Sequence, residues 1–160
     1  MPHTSAPTIT QTLLALGHEL PEPGASSPHY APFARTGNLL FISGQIPVAR
    51  GQVQFIGKLG REFTVEQGQQ AACACALNLL AHINAVVGGE VHRVRRIVRL
   101  GGFVNALPEF EQLSEVMNGA SDLMLSVFGE QARHARTSVG VATLPLGVAV
   151  EVDAIVELAE

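Results

Sequence analysis

The sequence predicts an α+β domain in which one mixed β-sheet is covered on one face by two long helices. Three observations lead to this class. The chain has 160 residues, a length that suits a single domain. A long alanine-rich segment has helix-capping residues at both ends, and several β-branched segments alternate between apolar and polar residues. The predicted order is β-β-α-β-α-β-β after a short N-terminal helix, and the uncovered sheet face then needs a partner.

The N-terminal part is predicted to form a helix, a linker and a hairpin. TITQTLLALGHEL (8–20) has the pattern of a short amphipathic helix, and PEPGASSPHY (21–30) has the composition of a linker. Between 31 and 42, two apolar patches flank Thr36-Gly37-Asn38, which is a hairpin signal. The glycine-rich segment 43–61 is expected to be loop that contains one short strand.

The first long helix is predicted over 65–87. Thr64 and Gln67 have the spacing of a capping box, in which each side chain accepts a hydrogen bond from the other residue's backbone N–H. Gly88-Gly89 is a typical helix end.

A strand and a second helix follow. The β-branched segment 94–105 ends near Pro108, and Gly101-Gly102 within it suggests a bulge or a close approach by another backbone. The segment 109–128 has apolar residues at roughly helical spacing.

The C-terminus is predicted to be a β-hairpin. Segments 137–143 and 148–158 alternate, and residues 144–147 (LPLG) join them as a turn. Pairing Thr143 with Val148 puts the valines of both strands on one face. The other face then carries Arg136, Ser138, Gly140, Glu151 and Asp153.

Composition excludes some classes of protein. Apolar residues make up 47% of the chain and charged residues only 15%, which excludes a disordered chain and favours an oligomer with buried apolar surface. The net charge of −4 makes nucleic acid an improbable partner. Cys73 and Cys75 are too close to suggest a structural disulfide and, with six scattered histidines, give no metal site. We expect neither metal nor cofactor.

We also expect no membrane span and a cytoplasmic location. The first 18 residues contain no Lys or Arg, so no targeting segment is indicated. The longest stretch without charged residues, 67–89, contains several Gln and Asn and a His, which favours a buried or interfacial helix.

Three segments resemble the Rid/YjgF family: GNLLFISGQIPV (37–48), FVNALPEF (103–110) and HARTSVGVATLPLGVAVEVDAI (134–155). The resemblance implies a chorismate-mutase-like fold of the bacillus type and a homotrimer with clefts between subunits. The chain looks like a longer sub-branch, with a helical extension and linker at 1–27 before a domain at 28–160.

The resemblance also implies an activity, the hydrolytic deamination of small 2-imino or enamine acids to 2-keto acids and ammonia. By this match Arg136 binds the substrate carboxylate and Glu151 positions the attacking water. Tyr30 and Ser43 match two further cleft residues, and Ser138 stands where well-studied members carry a cysteine.

The residue chemistry agrees with these roles but leaves alternatives. A guanidinium offers two parallel N–H donors to a carboxylate, and we expect that partial desolvation would raise the pKa of Glu151 and suit it to proton transfer. Equally, Arg136 and Glu151 are typical of interface ion pairs. Two other functions stay open: a non-enzymatic trimer that binds small carboxylates, and a ribonuclease that binds phosphates through the arginines at 93, 95, 96 and 99.

Overall fold

A five-stranded mixed sheet forms the centre of the computed structural model, which describes residues 6–160. The helices and strands, in chain order, are α1 (Ile9–Ala15), β1 (Phe33–Thr36), β2 (Leu39–Gln45), β3 (Val48–Ala49), β4 (Gln52–Val53), α2 (Val65–Val87), β5 (Val94–Asn105), α3 (Leu113–Phe128), β6 (Ala135–Val141) and β7 (Val150–Leu158). The sheet has the order β1-β2-β7-β5-β6, and only β5 and β6 run parallel. The predicted fold class is confirmed.

The two faces of the sheet differ in burial. On β7 the residues from Val150 to Leu158 alternate between buried and half-buried. The buried set packs under α2, while α3 covers β5 and β6 on the same side of the sheet, and we call this side the helix face. The other side, which we call the open face, leaves Phe41 and Val139 about two-fifths exposed, at 41% and 39%.

The caps predicted for α2 are confirmed. The Thr64 hydroxyl accepts from the Gln67 N–H at 3.3 Å, and the Gln67 side-chain oxygen accepts from the Thr64 N–H at 2.9 Å. Gly88 ends the helix in the left-handed conformation, at φ 64°. By length and composition α2 is apolar enough to cross a membrane, but 61% of its most apolar stretch is buried inside the fold, as in a core helix.

The second long helix begins later than predicted, at Leu113 rather than at 109, because the Phe110 N–H closes a turn onto the Leu107 carbonyl. A glycine in α3 lets the two helices approach closely. A Cβ atom on Gly119 would lie 2.7 Å from the Gln69 carbonyl carbon and closer still to its oxygen.

The N-terminal helix is shorter than the predicted 8–20. Thr8 and Gln11 form a capping box, and the helix ends at Ala15, just before Gly17 with φ 83°. Ile9 and Leu13 are fully buried, so α1 packs onto the core. The predicted extension also includes residues 1–5, which lie outside the described residues.

The predicted hairpin at 31–42 is confirmed as β1 and β2, whereas the predicted C-terminal hairpin is wrong. β6 and β7 do not pair with each other, because β5 lies between them and pairs with both. Loop 142–149 passes over the end of β5, where the Asn105 N–H donates to the Ala149 carbonyl at 2.9 Å. Thr143 therefore does not pair with Val148.

The predicted faces change with this correction. Arg136 and Ser138 align with Leu100 and Gly102 of β5, which belong to the helix face. Glu151 aligns with Phe103 on the open face. Physically, the alternation of a strand determines which residues share a face, but it does not determine which strand lies beside it.

Candidate functional site

Glu151 occupies the open face beside a bulge in β2. The register between β2 and β7 shifts between Ile42 and Gln45, and the carboxyl group of Glu151 lies against Gly44 in this irregular stretch. A Cβ atom on Gly44 would lie 2.9 Å from Cδ of Glu151 and closer still to its Oε1. The missing side chain of Gly44 therefore makes room for the carboxylate.

The surroundings of Glu151 favour its protonated form. Burial is the larger cause and the nearby Asp153 carboxylate the smaller one, and together they raise the pKa of Glu151 above its ordinary value. A carboxyl group with a raised pKa is suited both to accepting and to returning a proton near neutral pH.

Ser43 and Tyr30 lie together at the same bulge. The Ser43 hydroxyl donates to the Ala31 carbonyl at 2.8 Å, and its N–H donates to the Pro32 carbonyl at 2.9 Å. These bonds attach the segment that carries Tyr30 to the end of β2. Tyr30 is 66% exposed.

A cavity of about 1330 Å³ opens beside this bulge. Its walls include Tyr30, Ser43 and Gly44, the N-terminal segment 17–27, and one side of α2. The structure thus brings Tyr30 and Ser43 to one cavity wall, whereas Glu151 does not line this cavity and lies against Gly44 on the open face.

Arg136 lies on the helix face, where polar groups of α3 hold its guanidinium group. Nη1 donates to Asn118 Oδ1 and to Ser121 Oγ, both at 3.0 Å, and Nη2 donates to the Ser114 carbonyl at 3.2 Å. A guanidinium has five N–H donors. Within the described residues, one donor on Nε and one on Nη2 have no acceptor, and these two atoms form one edge of the planar group.

Ser138 follows Arg136 on the same face of β6. Its hydroxyl oxygen is buried and has no hydrogen-bond partner among the described residues. A buried hydroxyl without a partner costs free energy, so such a group is a candidate for contact with a ligand.

One chain does not bring Arg136 and Glu151 together. They lie on opposite faces of the sheet, on strands that β5 separates, and their β5 partners Leu100 and Phe103 are three residues apart. The expectation that both side chains share one face is therefore wrong.

The arginines considered for phosphate binding are largely occupied. Arg95 pairs with Glu157 at 3.7 Å, and Arg99 pairs with Asp153 at 3.4 Å. Arg93 donates to the carbonyl at the end of α2 at 3.2 Å. Carboxylates therefore offset the charge of two of the four arginines, Arg95 and Arg99.

Residues 6–160 contain no group of three or more His, Cys, Asp or Glu side chains that could hold a metal ion. Cys73 and Cys75 are both free, and burial raises the pKa of each thiol.

Sequence reasoning missed the residues that hold Arg136. Ser114, Asn118 and Ser121 stand at positions i, i+4 and i+7, so they form a polar stripe along one side of α3. This spacing could have predicted the polar stripe from the sequence. The contact between Gly44 and Glu151 could not be predicted in this way, since it joins residues far apart in the chain.

Comparison with known proteins places the chain in a family. Protein TCP17 of Trypanosoma cruzi is 48% identical over 151 residues, which cover 94% of each chain. The crystal structure of Atu1372 from Agrobacterium tumefaciens, whose function is unknown, superimposes with a TM-score of 0.89 at 44% identity and covers 94% of this chain and 92% of its own.

A crystal structure from Shewanella oneidensis, described as a "putative endoribonuclease", gives a TM-score of 0.89 at 35% identity, over 94% of this chain and 99% of its own. The family model "YjgF/chorismate mutase-like, putative endoribonuclease" matches residues 10–158. The chain therefore belongs to the YjgF family, as the resemblance of its motifs indicated.

Proposed function

We propose that the protein hydrolyses small 2-imino or enamine acids to 2-keto acids and ammonia, in a cleft between the subunits of a homotrimer. The observation that carries the proposal is that β6 presents a guanidinium suited to binding a carboxylate and β7 presents a carboxyl group suited to proton transfer. Arg136 has an oriented edge with two donors, and Glu151 has a desolvated carboxyl group with a raised pKa.

We assign to Arg136 the binding of the substrate carboxylate. Its three hydrogen bonds to α3 fix the plane of the guanidinium, and the donors on Nε and Nη2 match the two oxygens of a carboxylate. The unpartnered hydroxyl of Ser138, on the same face, is assigned a second contact with the substrate.

Glu151 is assigned the proton transfers. Water adds to the carbon of the protonated imine and gives one proton to the Glu151 carboxylate, so that a neutral carbinolamine forms. Glu151 then returns this proton to the nitrogen, and the C–N bond breaks to release ammonia. The hydroxyl proton passes to Glu151 as the carbonyl forms and then to the ammonia, so the sum is protonated imino acid plus water giving keto acid plus ammonium. Tyr30 and Ser43 shape the pocket.

The trimer is part of the proposal because of the sheet geometry. One substrate contacts both Arg136 and Glu151 only if they come from different chains, since they lie on opposite faces within one chain. Exposed Phe41 and Val139 on the open face support a covered surface in an oligomer. The two free thiols support a reducing, cytoplasmic location.

The test uses imines generated in situ by an amino-acid oxidase, with ammonia release as the measurement. The wild type should exceed buffer, and Glu151→Gln should lower turnover about a hundredfold because Gln cannot accept the proton. Glu157→Gln is the matched control, since Glu157 lies on the same strand and face and pairs with Arg95. It should retain turnover.

Substrate binding is tested in the same assay. Arg136→Ala should weaken binding by about 2–4 kcal/mol, because a charge-assisted pair is lost. Arg95→Ala should not. A wild type no faster than buffer on both aliphatic and aromatic imines would contradict the proposal. In that case, stabilisation by pyruvate that depends on Arg136 would leave the non-enzymatic carboxylate binder as the function.

A further inference from the structure

A chain of hydrogen bonds behind Arg136 ends at a half-buried histidine. Nη1 of Arg136 donates to Ser121 Oγ at 3.0 Å, and the same oxygen lies 2.9 Å from Nε2 of His134. Nδ1 of His134 lies 2.5 Å from the Ala132 carbonyl. Ser121 is buried, so the middle of this series of hydrogen bonds is shielded from water.

The direction of each hydrogen bond follows from the groups present. A carbonyl only accepts, so Nδ1 of His134 carries a proton and donates to Ala132. In neutral His134, Nε2 then accepts the Ser121 O–H, which leaves a lone pair of Ser121 Oγ for Arg136. Burial is the largest influence on the pKa of His134 and lowers it. The hydrogen bond to Ala132 acts in the opposite direction and the charge of Arg136, the smallest of the three influences, lowers the pKa further, so the net shift favours the neutral form.

Protonation of His134 reverses one bond in the chain. Nε2 then donates to Ser121 Oγ, so the serine hydroxyl must turn away, and a second positive charge lies beside Arg136. The other charged groups near His134 compensate little. Glu130 and Arg133 pair with each other at 3.7 Å on the surface, and Asp122 of α3 is exposed.

We propose that Ser121 and His134 are positioning residues, which hold the guanidinium of Arg136 with its Nε–Nη2 edge directed outward while His134 is neutral. Protonation of His134 loosens Arg136 and weakens carboxylate binding. The binding part rests on the proposed function. The coupling of His134 to Arg136 does not, because it depends only on contacts within one chain.

The coupling is tested by ¹⁵N NMR of the Arg136 Nε–H and the His134 ring between pH 8 and 4.5, in the Glu151→Gln background so that this carboxylate does not titrate. The Arg136 signal should shift with the same midpoint as His134. Ser121→Ala should abolish that shift. The matched control is Ser126→Ala, which changes an exposed serine on the same helix and should preserve the shift.

Binding is tested with pyruvate by calorimetry in the same background. Affinity should fall about tenfold as His134 becomes protonated, because Ser121 Oγ then accepts from two cations whose repulsion displaces the guanidinium of Arg136. His134→Gln should make the affinity independent of pH, whereas His92→Gln, at an exposed histidine, should not.

An Arg136 signal that stays constant while His134 titrates would overturn the inference, as would unchanged pyruvate affinity in Ser121→Ala. If pyruvate does not bind at any pH but the two NMR titrations coincide, the proposed function fails and the positioning of Arg136 stands.

Discussion

Replacing Gly44 with alanine is expected to displace the Glu151 carboxylate while the fold stays intact. A Cβ atom at position 44 would lie 2.9 Å from Cδ of Glu151. Ordinary carbon contacts are about 3.5–4.0 Å, so Cδ must retreat by roughly 0.6–1.1 Å, and Oε1, which lies closer, must retreat farther. The backbone of Gly44 is not left-handed, so alanine fits its conformation.

The expected losses of stability and turnover follow from the movement of the Glu151 carboxyl group. The carboxyl group is the end of a flexible side chain, so its shift costs only about 1 kcal/mol of stability. A misplacement of about 1 Å at a reacting group lowers the rate by about a hundredfold. Gly44→Ala should therefore lose most of its turnover in the imine assay but melt close to the wild type.

Gly140→Ala is the matched control. Gly140 is also a sheet glycine without positive φ, and a Cβ atom there would lie 3.5 Å from Leu113, which is an ordinary contact. This variant should keep its turnover. The double variant Gly44→Ala/Glu151→Gln should be no slower than Glu151→Gln alone, since both changes act through one group. Full turnover in Gly44→Ala, or multiplied losses in the double variant, would refute the reasoning.

Three further outcomes are expected. The folded-state pKa of Glu151 is raised, so the folded state binds more protons and wild-type stability falls as pH rises from 4.5 through that pKa. In thermal denaturation, Glu151→Gln should thus be more stable than the wild type at pH 7 but not at pH 4. The gain in the free energy of unfolding is about 1 kcal/mol at most after solvent screening. Gly119→Ala should cost about 3 kcal/mol or more by thermal denaturation, because its Cβ meets the Gln69 carbonyl; a cost below 1 kcal/mol would contradict the close helix contact. RNA binding should be weak at physiological salt and imine hydrolysis should survive alanine replacement of the arginines at 93, 95 and 99, whereas tight, steeply salt-dependent RNA binding would favour the ribonuclease.

The features that were predicted correctly from the sequence depend on interactions between residues close together in the chain. The capping box of Thr64 and Gln67, the left-handed Gly88 and the turn at Gly37 act over a few residues, so their meaning does not depend on distant contacts. The hairpin of β1 and β2 and the long helix α2 were predicted on such signals.

Pairing between distant segments was predicted less well. β6 and β7 both alternate and are joined by a short loop, which is also the pattern of a hairpin. The inserted strand β5 changes their relation and moves Arg136 and Glu151 to opposite faces. The motifs could identify these two residues as candidates, but only the sheet order shows that one chain keeps them apart.

The central claim, a site that takes Arg136 from one subunit and Glu151 from another, is tested most directly by mixing two inactive variants. Arg136→Ala and Glu151→Ala chains are coexpressed with different tags, and mixed oligomers are purified through both tags. In a trimer that contains both variants, one of the three shared sites contains both native residues, so the purified mixed trimers should recover about a third of wild-type imine hydrolysis. A mixed oligomer no more active than either variant alone would contradict the claim.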